Sequence, residues 1–223
     1  HRGLPKSAIS PWDVGWDGTQ YTIPVRDHAG FVQDIRRYRL TKSSMLSTSG
    51  CLSGLLGAHR MPKRPSDPIY ICEGEWDAVA LRWLLQKLRE PGVVVAVPGA
   101  SSFKQEWVPW FNNRIVHTLF DSDEAGENGE LLVQKRLYST SKRITYIAWP
   151  SNVPTGFDVR DWIIYGAIEK RDPDGCWASL QTLFKPRPRK AVGGGKNIGT
   201  EPHEIPDDDE VRPTEWDKPP SLD

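Results

Sequence analysis

The sequence predicts an α/β fold: a mainly parallel sheet flanked by helices, preceded by a small basic α+β piece that carries a β-hairpin. Three observations lead there. Short β-branched runs alternate with amphipathic helical stretches from residue 69 to residue 148, the rhythm of βαβ units. A Tyr-Thr-Ile-Pro-Val run followed by Asp27-His28-Ala29-Gly30 and a second extended run reads as a hairpin. Finally, 1–66 holds ten Lys/Arg against four Asp/Glu, a net of +6, whereas 67–184 holds twelve against sixteen, a net of −4.

Taken in order, 1–18 carry turn signals (Leu4-Pro5, Ser10-Pro11, Asp17-Gly18) and two tryptophans, Trp12 and Trp16. The strand expected over 20–25 contains Pro24, which belongs at an edge or a bulge because proline offers no backbone N–H. On the returning strand, 31–39, alternation puts Arg37 and Arg39 on one face and Arg36 and Tyr38 on the other. Guanidinium forks suit phosphate and tyrosine can stack on a base; equally, such charges protect an edge strand from aggregation. Residues 41–57 read as loop with short ordered pieces and 59–66 as a connector.

The regular part begins with a strand at 69–72 and a helix at 76–90, with Ala80, Leu81, Leu84, Leu85 and Leu88 on one face and Pro91-Gly92 as the stop. A β-branched strand at 93–97, a short helix near 104–111, a strand at 114–120, a helix at 127–138 and a strand at 143–148 follow. After the loop 151–157 come Asp158-Val159-Arg160-Asp161-Trp162 and one or two helices to about residue 184. Beyond residue 185 the Pro/Arg run, the Gly-Gly-Gly run and the acidic cluster Asp207-Asp208-Asp209-Glu210 read as a linker or tail. The expected divisions are therefore 1–66, 67–184 and 185–223.

The chemistry collects where strands end. Glu73-Gly74-Glu75-Trp76-Asp77 closes the first strand, and Asp121-Ser122-Asp123-Glu124-Ala125-Gly126 closes the third. Open α/β sheets place ligands at the carboxyl ends of their strands. Carboxylates from neighbouring strands converging there are costly unless a hard divalent cation such as Mg²⁺ or Mn²⁺ neutralises them. Taken singly, each acid is an ordinary helix cap. Cys51, Cys72 and Cys176 lie far apart without a C-x-x-C pair, which argues against a zinc ribbon and a disulfide framework. No segment has the length and apolarity of a membrane span, and the chain reads as soluble and cytoplasmic. It opens on His1 rather than Met, and is expected to be a fragment or a processed piece.

A strand ending in Glu73-Gly74 followed by a strand ending in Asp121-Ser122-Asp123 resembles the signature of the TOPRIM domain, shared by DNA primases, topoisomerases and certain nucleases. Asp77 matches a further acidic position of primases, and Asp158-Val159-Arg160-Asp161 is similar to their third acidic motif, with Arg160 where bacterial primases often carry another acid. The resemblance covers about 67–165. The hairpin 21–32 and Arg36-Arg37-Tyr38-Arg39 are similar to phage and plasmid primases and primase-helicases, as is Leu55-Leu56-Gly57.

The resemblance implies a DNA primase, a nucleotidyltransferase making short RNA primers on single-stranded DNA from NTPs. It implies Glu73, Asp121 and Asp123 as catalytic residues, and Glu73, Asp77, Asp121, Asp123 and Asp158 as ligands of Mg²⁺ (or Mn²⁺), two ions being expected and no zinc in this chain. Glu73 would either complete the metal shell or take the proton of the 3′-hydroxyl. Arg26, Arg36, Arg37, Arg39 and Lys104 would contact template or triphosphate. A replicative helicase, fused or recruited, is the expected partner, with no membrane. The alternatives are a TOPRIM nuclease cleaving phosphodiesters and a non-catalytic nucleic-acid-binding module.

Overall fold

The computed structural model describes residues 3–41 and 44–186; of the tail expected over 185–223, all but the first two residues lie outside them. The chain starts with a short helix α1 (Lys6–Ile9) running into a 3₁₀ turn (Ser10–Trp12), where turn signals alone were expected. Four antiparallel strands follow in sequential order: β1 (Gly15–Trp16), β2 (Tyr21–Arg26), β3 (Val32–Arg39) and β4 (Ser44–Leu46). The β2–β3 hairpin is closed by Asp27, whose side chain accepts from the Phe31 N–H at 2.9 Å while its own N–H donates to the Phe31 carbonyl at 2.8 Å. Pro24 is tolerated because β1 pairs only with Tyr21 and Thr22 and ends before reaching it, and the ladder bulges just beyond, between Val25 and Arg26. On β3, Asp34, Arg36 and Tyr38 are buried while Ile35 and Arg37 are exposed, the alternation expected from the sequence.

The second sheet holds β5 (Ile69–Cys72), β6 (Val93–Ala96), β7 (Ile115–Leu119), β8 (Arg143–Ile147) and β9 (Phe184–Pro186) in the order β6-β5-β7-β8-β9. The first four are parallel; β9 is antiparallel to β8. Between them run α2 (Glu75–Leu88), α3 (Glu124–Leu137), α4 (Val159–Ile163), which passes into a π-helical stretch (Ile164–Glu169), and α5 (Pro173–Thr182). All four residues of β5 and of β6 are buried, as expected for strands covered on both faces. Tyr70, Cys72, Val94 and Ala96 point to the face covered by α1, α2, α4 and α5. Ile69, Ile71, Val93 and Val95 point to the other, against Phe103, Trp107, Phe111, Val133 and Leu137. Each fully buried Ile or Val there contributes about 1.5–3 kcal/mol relative to an exposed one.

The first of these cores also contains Leu4, Ala8, Trp12, Ile23 and Tyr38, so apolar packing is continuous across the boundary expected at residue 66. Leu55 and Leu56 are buried too, and Leu56 exchanges both backbone hydrogen bonds with Ala96, covering the free edge of β6. Gly57, at φ +84°, has to be glycine: a Cβ there would stand 2.6 Å from the Val94 carbonyl oxygen.

Three expectations are corrected. The stretch 104–111 forms a 3₁₀ helix (Gln105–Phe111), since Pro109 inside it removes an α-helical donor. Helix α3 begins at Glu124 rather than 127, because Asp123 caps it and the Gly126 N–H donates to that cap. The chain past α5 returns as β9, whose three residues are too short a run to register as a strand. No helix among the described residues is long and apolar enough to cross a membrane.

Candidate metal centre

The carboxyl end of the parallel sheet gathers the acids. Glu73 and Gly74 follow β5, and Asp77 stands in the first turn of α2. Asp121 lies two residues past β7, Asp123 is the N-cap of α3 and Asp158 the N-cap of α4. Two glycines make the crowding possible. A Cβ on Gly74 would lie 2.6 Å from Asp77 Oδ2, and one on Gly126 would lie 2.3 Å from the Asp121 carbonyl oxygen. At Gly126 the close neighbour is backbone, so that turn excludes any side chain; at Gly74 it is the Asp77 carboxylate itself.

Asp77, Asp121 and Asp158 each present one carboxylate oxygen, all within 4.8 Å of one another. Asp77 is 6 % exposed, and its Oδ1 is buried without a hydrogen-bond partner. A buried carboxylate oxygen normally finds a donor. Three acidic residues offering hard oxygen donors, one of them Asp77 with an orphaned oxygen, match a divalent cation of the Mg²⁺ or Mn²⁺ class. The other two sequence-predicted ligands stand alongside. Glu73 Oε2 accepts the Asp121 N–H at 3.2 Å, and Asp123 Oδ1 accepts the Gly126 N–H at 2.8 Å. The structure therefore brings all five acids to one end of the sheet, but the tight triad is Asp77–Asp121–Asp158, with Glu73 and Asp123 turned to backbone amides beside it.

The electrostatics record the crowding. Burial, with Glu73, Asp158 and Asp123 nearby, pushes the Asp121 carboxyl up to about 8. Asp77 is raised well above the usual carboxylate range by burial and by Asp158. Glu73 is also raised, by burial first and then by Asp123 and Asp158, against the opposing hydrogen bond from Asp121. Such shifts mark acids that a bound cation would return to the ionised form.

Arg160, in the first turn of α4, is also buried here. Its Nη2 donates to Asp158 Oδ2 at 2.6 Å and approaches Asp161 Oδ1 at 3.3 Å. Burial alone would lower its pKa, but Asp158, Asp77 and Asp161 together raise it. Asp158 Oδ1 accepts the Asp161 N–H at 2.7 Å, so both of its oxygens are held in place.

The basic residues expected to bind nucleic acid are placed differently from one another. Arg37 is exposed and Arg39 half-buried on the open face of the antiparallel sheet. Arg26 pairs with Asp13 at 3.1 Å and donates to the Gly30 carbonyl at 3.3 Å. Lys104 donates to the Ser53 carbonyl at 2.7 Å. Arg36 is buried: Nε donates to Glu75 at 2.5 Å, Nη1 to Ser47 Oγ at 2.7 Å and Nη2 to the Pro98 carbonyl at 3.1 Å. It therefore ties the hairpin sheet to the first turn of α2, two residues from Glu73 and from Asp77. Sequence reading missed Glu75 as its partner, although the placement of Arg36 on the Tyr38 face already pointed inward.

No family model matches the sequence, and no curated protein matches it. Solved structures do match. The primase fragment of the bacteriophage T7 primase-helicase protein aligns at 21 % identity over 81 % of this chain and 72 % of its own, with a TM-score of 0.58. The E. coli primase catalytic core aligns at 16 % identity over 83 % and 71 %, TM-score 0.59. A DnaG primase catalytic domain bound to single-stranded DNA aligns at 17 % over 83 % and 72 %, TM-score 0.58. Over these shares of its length the chain carries the fold of the DNA primase catalytic cores.

Proposed function

We propose that the chain is the catalytic part of a DNA primase, joining ribonucleotides into short primers on a single-stranded DNA template. One observation carries the proposal: three carboxylates from β5–α2, β7 and α4 converge within 4.8 Å at the sheet end, in a primase-core fold. Asp77, Asp121 and Asp158 would hold the divalent ion, and Asp123, one oxygen of which caps α3, would offer its other oxygen to a further ion. When bound, Mg²⁺ or Mn²⁺ neutralises charge building up on the attacking 3′-hydroxyl oxygen and on the departing pyrophosphate. Glu73 stands beside Asp121, and in its ionised form, its proton affinity raised by burial, it would take the proton that the 3′-hydroxyl loses as its oxygen attacks the α-phosphorus.

Arg37, exposed, and Arg39, half-buried, lie on one face of the hairpin sheet and suit the template backbone, with Arg26 at the end of the same sheet. Lys104 stands near the loop after β6 for the triphosphate. Arg36 is assigned no contact with nucleic acid, since its guanidinium is spent on Glu75, Ser47 and Pro98. A primase makes primers where a replicative helicase exposes single strands, which makes such a helicase, fused or recruited, the proposed partner.

The test is incorporation of labelled NTPs on single-stranded DNA with Mg²⁺ or Mn²⁺. The native chain should extend products, and Glu73→Gln and Asp121→Asn should each lose about 10²-fold or more of the rate. Shortened DNA in place of labelled RNA would replace the primase reading with a nuclease. Template binding that survives with no product from any variant or the native chain would leave a binding module.

A further inference from the structure

We infer that Arg60 and Arg82, with Arg26 and His59 beside them, form a binding site for a phosphate group, separate from the metal centre and independent of the proposed activity. The site lies where the 3₁₀ turns Ser10–Trp12 and Ala58–Arg60 meet the middle of α2. Trp12 is buried at its base, and two guanidinium groups approach the same indole: Arg60 Cζ stands 4.3 Å from the ring centre and Arg82 Cζ 6.0 Å. Ten buried side-chain nitrogen and oxygen atoms lack a hydrogen-bond partner among the described residues, and four of them belong to this one cluster: Trp12 Nε1, His59 Nδ1, Arg60 Nη1 and Arg82 Nε. The two guanidinium nitrogens and the indole nitrogen can only donate, so what the place lacks is an acceptor.

Charge points the same way. The charged groups that act on His59 and Arg60 are Arg26, Arg82 and Asp13. Asp13 is the one acid in the set, and it already pairs with Arg26 at 3.1 Å. Neither Arg60 nor Arg82 has an ion-pair partner among the described residues. Burial first, and then Arg82, lower the Arg60 pKa to about 10, the mark of like charges held together out of water. Burial and Arg60 likewise lower His59, which keeps its imidazole neutral near pH 7. Three guanidinium groups less one carboxylate leave two positive charges, which a phosphate dianion cancels and a carboxylate does not. Guanidinium forks also match its oxygens in geometry. The three arginines and His59 are half-buried, so solvent reaches the cluster. The acids of the metal centre take no part: Arg82 stands five residues past Asp77, about 7–8 Å along the α2 axis and on another side of the helix.

The rival account has both cations merely covering the Trp12 ring, and it predicts no ligand. Phosphorus NMR decides, with inorganic phosphate titrated by the full chain in EDTA at fixed ionic strength. The native chain should bind phosphate saturably, Arg60→Gln and Arg82→Gln should each weaken it about tenfold or more, and Asp13→Asn, which removes the competing acid, should tighten it. Lys135→Gln, the same loss of charge at an exposed position of α3, should keep the native affinity. ATP and an oligothymidylate, titrated in the same way, tell a nucleotide phosphate from a strand phosphate: Arg82→Gln weakens whichever of them supplies the group. The inference is overturned if the native chain does not saturate with phosphate, if Arg82→Gln binds like the native chain or no worse than Lys135→Gln, or if neither ATP nor the oligonucleotide is weakened. Arg60 also donates to the Pro11 carbonyl. Should Arg60→Gln fail to fold, as judged by its melting transition, Arg82→Gln decides. Failure of the primase assay leaves this outcome untouched, because no metal or polymerisation enters the measurement.

Discussion

Raising the pH of the metal-free protein strips protons that the acidic cluster is built to keep. Asp121 titrates near 3.8 in an unfolded chain and is pushed up to about 8 in the fold. Between those values the native state binds the extra proton, so stability present at low pH is lost as pH rises through the folded value. His117 and His59 work the other way, because burial lowers their pKa values and stability then rises with pH up to the ordinary histidine value of 6.5. A window from about pH 6.5 to about pH 8 keeps the two effects apart.

Across that window Asp121 loses a large share of its proton, and the linkage for one group is about 1–2 kcal/mol. For a chain of this size that lowers the melting temperature by about 3–7 °C. Saturating Mg²⁺ should raise the melting temperature at the upper end and flatten the dependence, because the ion binds the folded, ionised carboxylates and not the unfolded chain. Thermal melts followed by circular dichroism, in EDTA and in Mg²⁺, provide the comparison. A metal-free melting temperature that stays level or climbs between the two pH values refutes the crowded-acid account of the site.

Arg36→Ala leaves Glu75 buried without its partner and should cost about 3–5 kcal/mol in urea unfolding, far more than a surface arginine would. Gly126→Ala sets a methyl against the Asp121 carbonyl oxygen at 2.3 Å, so α3 must shift; a loss of about 1–3 kcal/mol in stability and weaker Mn²⁺ binding are expected, and a variant with native affinity would show that the turn has slack.

The main features of the fold could be read from residue order alone because its signals are local. Strands such as Ile69–Cys72 and Val93–Ala96 are apolar runs buried on both faces, helix α2 repeats its leucines at helical spacing, and each element ends at a recognisable stop. The Glu73-Gly74 and Asp121-Ser122-Asp123 pair was legible for the same reason: both sit where a strand meets a helix, and Gly126 marks a turn too tight for a side chain.

Which acids would meet each other was not a local property. Asp123 and Glu73 are closest in sequence to Asp121 and to the β5 turn, yet Asp123 spends an oxygen capping α3 and Glu73 accepts a backbone N–H. Asp158 reaches Asp121 because α4 packs against α2; the motif resemblance of Asp158-Val159-Arg160-Asp161 pointed to Asp158 but not to the acids it would meet. The same packing turns Arg160 from an apparent departure from an acidic motif into a guanidinium among carboxylates. Sequence by itself determined the alternating elements and the acids at their ends, because periodicity and turn chemistry act over a few residues. Only the tertiary structure decided which oxygens share one point and which arginine is buried, because those depend on helices packing across a sheet from distant parts of the chain.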